Sequence, residues 1–274
     1  MSQTAVPSTR DLLLGLARAG GGAVLFSLPM LMTMELWEFG GTLRPWRIAT
    51  FVALTLPLLV ALARYLGFRD TTGLGWADHL ADGLVAYAVG VIASAAILTM
   101  IGVLHADRSL GEVVGIVAIE SVPASIGAAI GRSQITAGVD RARREIEGYG
   151  DEILLMGVGA IVLAFNIAPT DEIPLLALQV GTVRALTLFA VSVVLMHAIV
   201  YGVGFRGQHR SDAPVWSVFF GFTVAGYGLA LLISAYLLWL FGRFDDVPLI
   251  VAATQTVVLA LPAALGAAAA RLLL

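Results

Sequence analysis

Four stretches of this chain run for over twenty residues without a charged side chain. Gly83 to Leu104 is 22 residues, Val215 to Phe241 is 27, Val247 to Ala270 is 24 and Ala185 to Phe205 is 21. At 1.5 Å per residue, a helix of about 20 residues crosses the ~30 Å hydrocarbon layer of a bilayer. A segment in lipid must satisfy its own backbone hydrogen bonds, and a helix does so locally. Four such segments exclude a soluble fold. The composition agrees, because only 13% of the residues are charged, where soluble domains carry about a quarter.

Four weaker segments complete the count: Ala19 to about Trp37, Ile48 to Ala63, Val113 to Ile130 with Glu120 inside it, and Ile153 to about Thr170. The expected fold is therefore all-α, a polytopic integral membrane protein with eight transmembrane helices. The first apolar run continues into Glu35 without an Ala-x-Ala site, so it reads as a span and not as a cleaved signal peptide. Eleven arginines fall on the side of the termini and only five (Arg44, Arg47, Arg108, Arg184 and Arg243) on the other. By the positive-inside rule both termini are expected in the cytoplasm, with the protein multi-pass in a bacterial inner membrane.

The chain also matches itself. At an offset of 137, residues 20–69 align with 157–206 without a gap, and thirteen of the 50 positions are identical. They include Gly20/Gly157, Gly22/Gly159, Thr33/Thr170, Glu35/Glu172, Arg47/Arg184 and the runs Gly67-Phe68-Arg69 and Gly204-Phe205-Arg206. At offset 139, Pro123, Gly127 and Arg132 match Pro262, Gly266 and Arg271. Apolar composition produces chance pairs of Leu and Ala, but not Thr-x-Glu, Arg and Gly-Phe-Arg in one register. The expected organisation is a cytoplasmic tail (1–15), a first four-helix repeat (16–132), a polar linker (133–152) and a second repeat (153–274). The linker reads as polar chain or a surface amphipathic helix. An even number of helices per copy implies parallel repeats about an axis along the membrane normal.

The segments Leu31-Met-Thr-Met-Glu-Leu-Trp37, Phe165-Asn-Ile-Ala-Pro-Thr-Asp-Glu-Ile-Pro174 and Gly204-Phe-Arg-Gly207 resemble a family of uncharacterised bacterial integral membrane proteins with two tandem repeats. The resemblance covers nearly the whole chain. It implies the architecture and carries no activity, substrate or site.

Two features bear chemistry. Thr33-Met-Glu35 ends the first span and Thr170-Asp171-Glu172 the fifth, beside prolines Pro29, Pro169 and Pro174 and Asn166. Proline frees a backbone carbonyl, and carbonyls, hydroxyls and carboxylates together are hard oxygen ligands for a cation or a proton. Interrupted helices at matching positions of two halves point to a transport site at the interface of the repeats, where facing carboxylates would share a proton. The competing account is that Thr170 caps a short interfacial helix with Asp171 and Glu172 in its first turn. The second feature is Glu120, a lone carboxylate in mid-span whose counterpart is Leu259. Such a group costs roughly 2.5–3.5 kcal/mol to insert unless protonated or paired. It reads as a proton or cation relay, or else as a carboxyl bonded to Ser121 or an arginine. Arg47 and Arg184 are supporting candidates, either paired with the acids or snorkelling to the interface. His197 is expected to be satisfied locally.

Without cysteine, thiolate metal sites and thiol nucleophiles are excluded. His-Glu-x-x-His, phosphate-loop and nucleophile-elbow motifs are absent as well, so neither an enzyme nor a cofactor is expected. The net charge of -3 argues against nucleic acid. Gly127-x-x-x-Gly131 and Gly266-x-x-x-Ala270 are close-packing faces for the repeat junction or a homodimer. The expected function is transport of a cation, or proton-coupled transport. The alternative is a non-transporting scaffold or accessory protein whose repeated acids only terminate helices.

Overall fold

The computed structural model describes residues 9–66, 75–136, 149–202 and 215–273. The Gly-Phe-Arg runs and most of the polar linker lie outside these residues. All regular structure among them is helical, and eight helices are long and apolar enough to cross a membrane. The chain divides into two compact units, Met1–Arg144 and Glu145–Leu274.

The first unit contains α1 (Thr9–Leu31), α2 (Met34–Thr42), α3 (Pro45–Leu66), α4 (Trp76–Met100) and α5 (Leu110–Thr136). All but α2 are span candidates. The first span ends at Leu31, short of the expected Trp37. Thr33 is the cause, its extended backbone (φ -95°, ψ 112°) breaking the helix before α2 begins. The open end of α1 is closed by side chains: Thr33 Oγ1 donates to the Pro29 carbonyl (2.9 Å) and Trp37 Nε1 to that of Leu31 (3.0 Å). Helix α4 ends in a Schellman turn at Gly102 (φ +80°), with Val103 N–H donating to Leu98 O at 2.9 Å. Helix α5 opens on a capping box in which Glu112 accepts from the Ser109 amide (2.9 Å) and Glu112 N–H donates to Ser109 Oγ (3.3 Å). Helix α5 packs against α1, α2, α3 and α4, and 78% of its apolar window is buried, the largest share of any span candidate. It is the centre of the unit.

The second unit contains α6 (Tyr149–Ile167), α7 (Glu172–Gly202), α8 (Val215–Val218) leading through a π-helical turn (Phe219–Val224) into α9 (Ala225–Leu240), and α10 (Leu249–Leu273). Helix α7 is broken at Gly181 (φ 64°, ψ 173°), a conformation open to glycine and strained for other residues. A short helix thus precedes the span here as well. Helix α9 ends at Gly242 (φ +73°), with Arg243 N–H donating to Leu238 O at 2.8 Å. Helix α10 packs against α6, α7 and α9.

Each small-residue face is used inside its own unit. A Cβ on Gly22 of α1 would fall 2.7 Å from Gly131 Cα and press on the Gly127 carbonyl of α5. In the second unit Gly159 of α6 meets Gly266 and Ala270 of α10 in the same way. Within each unit the partner that these faces fit is its first helix.

Candidate functional site

The chemistry of the first unit gathers where α4 crosses α5. On α4 the buried residues Asp82, Ala86, Gly90, Ser94 and Leu98 recur every fourth position and form one stripe. The two helices run antiparallel: Asp82 meets Arg132, Gly90 meets Ser125 and Ser94 meets Glu120. A Cβ on Gly90 would lie 2.6 Å from the Ser125 nitrogen, so the two backbones are in direct contact there.

Glu120 is fully buried, and neither carboxylate oxygen has a hydrogen-bond partner. The Ser121 partner considered from sequence is engaged elsewhere, donating to Ala118 O (2.9 Å) and facing Tyr87 OH at 3.4 Å. Ser125 donates to Val122 O (2.8 Å), and Ser94 Oγ donates across to the main-chain carbonyl of Glu120 (3.0 Å). Pro123 removes an amide from this stretch, and the hydroxyls close the carbonyls around it. The hydroxyls of Ser94, Ser121 and Ser125 are all engaged, and the carboxyl is not.

At the end of the seam where α4 begins and α5 leaves the span, Asp82 is 1% exposed and pairs with Arg132 at 3.4 Å. Sequence reasoning missed Asp82 because it directly precedes the uncharged run from Gly83. At the opposite end Leu31, Leu98, Val103 and Ile116 form a buried apolar cluster, with Trp37, Ile97, Leu104 and Val117 packed against it.

The Thr-x-Glu segments have a different character. Glu35 is half-buried in the first turn of α2, and Glu172 is exposed in the first turn of α7. Thr33 occupies the cap position of α2 with no side-chain bond to that helix, its hydroxyl instead closing α1. Thr170 Oγ1 likewise donates back to Ile167 O (2.8 Å), closing α6. Asp171 pairs with Arg243 (2.8 Å), whose guanidinium also donates to the Pro169 carbonyl. The carbonyls at these helix ends are thus taken by side chains. Arg47 is buried with its guanidinium over the Trp46 ring at 5.6 Å, and Arg184 is exposed beyond the Gly181 break. His197 Nδ1 lies 2.9 Å from Thr223 Oγ1, and its ring packs between Tyr201 and Phe219, a locally satisfied histidine. Among the described residues no group of three or more His, Asp or Glu is placed to hold a metal ion.

Residues 15–274 match the family described as "Putative integral membrane protein (DUF2391)". The chain belongs to that family. No curated protein and no solved structure shows significant similarity to it. Membership together with eight apolar helices makes this a multi-pass membrane protein.

Proposed function

We propose that the protein moves protons, or a small cation coupled to protons, across the bilayer, and that Glu120 is the group that carries the charge. One observation bears the weight: a carboxyl with no exposure and no partner sits in mid-span on the most buried helix of its unit. Intramembrane acids are costly and mark ion or proton paths by default. A purely structural acid would be bonded, and the neighbouring serines bond to other atoms.

The same reading takes the units as tandem copies. Its support is now threefold: offset 137 relates α1–α3 to α6–α7, offset 139 relates α5 to α10, and offset 140 relates α4 to α9. The last pairs Trp76, Tyr87, Ser94 and Gly102 with Trp216, Tyr227, Ser234 and Gly242. Asp82 corresponds to Phe222 at offset 140, and Glu120 to Leu259 at offset 139. The scaffold therefore folds in the second copy without either acid, so in the first copy they serve something other than folding. Glu35, Asp171 and Glu172 enter as acids at one face of the membrane, where negative charge raises the local concentration of cations. The arginine distribution supports an orientation with both termini in the cytoplasm of a bacterial cell.

Proteoliposomes holding the purified protein, with a pH gradient and each small cation in turn, test this. Glu120→Gln keeps size and hydrogen bonding and should abolish flux while the protein still folds. Full flux in that variant would refute the proposal. A second reading, a non-transporting scaffold, draws support from Thr33 and Thr170 closing α1 and α6, and it predicts no flux in the wild type.

A further inference from the structure

The two ends of the α4–α5 seam differ in chemistry, and Glu120 lies between them. Toward Arg132 the seam carries the hydroxyls of Ser121, Tyr87 and Ser125 and ends at the Asp82–Arg132 pair. Toward Leu110 it meets Leu31, Leu98, Val103 and Ile116, all buried and apolar. Glu120 is twelve residues from Arg132 and ten from Leu110. At 1.5 Å per residue these are about 18 Å and about 15 Å, so length does not favour either exit. The lining does.

We propose that Glu120 exchanges its proton with the Asp82–Arg132 end of the unit alone, the Leu31–Leu98–Val103–Ile116 cluster closing the other end, and that the migrating species at this site is a proton and not a metal cation. This rests on the reading of Glu120 as the charge carrier. The backbone contact of Gly90 with Ser125 leaves no room for a hydrated ion, whereas a proton needs only a line of oxygens. The line would run from Asp82 through transient water to Tyr87 OH and Ser121 Oγ, 3.4 Å apart, and through a second transient water to the Glu120 carboxylate, which bonds to neither hydroxyl. In each hop one O–H bond forms as another breaks, and nothing else changes. The remaining charged and titratable groups on the helices around α5 leave this route clear. Arg10, Arg18, Arg64, Asp78 and His79 belong to the Arg132 end, and Glu35 and Glu38 on α2 to the other. Arg47 on α3 packs on Trp46. None is bonded to the carboxyl of Glu120.

The test is infrared difference spectroscopy on proteoliposomes of uniform protein orientation, with pH stepped on one side of the membrane at a time. The protonated-carboxyl band that Glu120→Gln removes belongs to this residue. It should respond to pH on the side of the Asp82–Arg132 end and stay unchanged when only the opposite side is stepped. Tyr87→Phe should slow that response several-fold with the fold intact, and Leu98→Ser should make the band answer to both sides. A band that follows the opposite side, both sides or neither in the wild type overturns the proposal. Flux of Glu120→Gln is read separately, so a silent Glu120 in transport and a wrong exit route give different results.

Discussion

Ser94 on α4 donates its hydroxyl to the main-chain carbonyl of Glu120 on α5, at 3.0 Å and with both residues fully buried. The bond fixes the helix backbone at this residue while leaving its carboxyl unengaged. Interhelical bonds of this kind are worth about 0.6 kcal/mol on average in membranes. Ser94→Ala should therefore lower stability only slightly in a detergent unfolding series. Its clearer effect should be on the pH dependence of flux, since the carboxyl loses its fixed position.

Replacing Glu120 by leucine, the residue of the second unit, sets stability against function. Removing a carboxyl that costs roughly 2.5–3.5 kcal/mol to insert should stabilise the protein by about 2 kcal/mol, part of the gain being lost to imperfect packing. Flux should vanish. A Glu120→Leu protein less stable than wild type in chemical denaturation would mean that the acid is structural.

Asp82 and Arg132 form a pair in which only the arginine reaches the surface. Asp82→Asn leaves a cation without its counter-charge and should cost about 3 kcal/mol, the low end for a broken buried pair. The double change Asp82→Leu with Arg132→Leu should recover most of it. A double-mutant cycle on thermal stability checks the coupling, and additive losses would dismiss the pair.

Two glycines of α1, two positions apart, separate by environment. A Cβ on Gly20 meets nothing within 4 Å, whereas one on Gly22 meets the α5 backbone. Gly20→Ala should be neutral or stabilise the helix by about 0.5–1 kcal/mol, and Gly22→Ala should destabilise the unit. Parallel melting curves decide it.

The acids of α2 and α7 are expected to act at a distance. Glu35→Gln with Glu172→Gln should reduce flux several-fold at low ionic strength, and the deficit should fade at high salt where exposed charges are screened. A loss independent of salt would place these carboxylates in the path itself.

Hydropathy made the eight spans legible, because each is a long apolar run between charged ends. It missed the break after Leu31, since Met32, Met34, Leu36 and Trp37 keep the window apolar across it. Only Thr33, by turning its hydroxyl back to Pro29, marks the stop, and a threonine in apolar sequence does not announce that role. Glu120 was visible as a charge in mid-span. Asp82 was hidden by its place just outside an uncharged run, although the four-residue spacing Asp82, Ala86, Gly90, Ser94 would have revealed it. The hydroxyls around Pro123 were readable as polar residues, but not as occupied ones, because that depends on which carbonyl each reaches.

Where α1 and α5 meet, Gly22, Gly127 and Gly131 bring main chain against main chain with no side chain between. Ordinary helix pairs slide or rotate by letting side chains hop between rotamers. Here a small axial step would drive a carbonyl oxygen into a Cα, with no flexible group to absorb it. These two helices are consequently locked as a single strut. Any cycle of opening and closing in this unit must carry the two together.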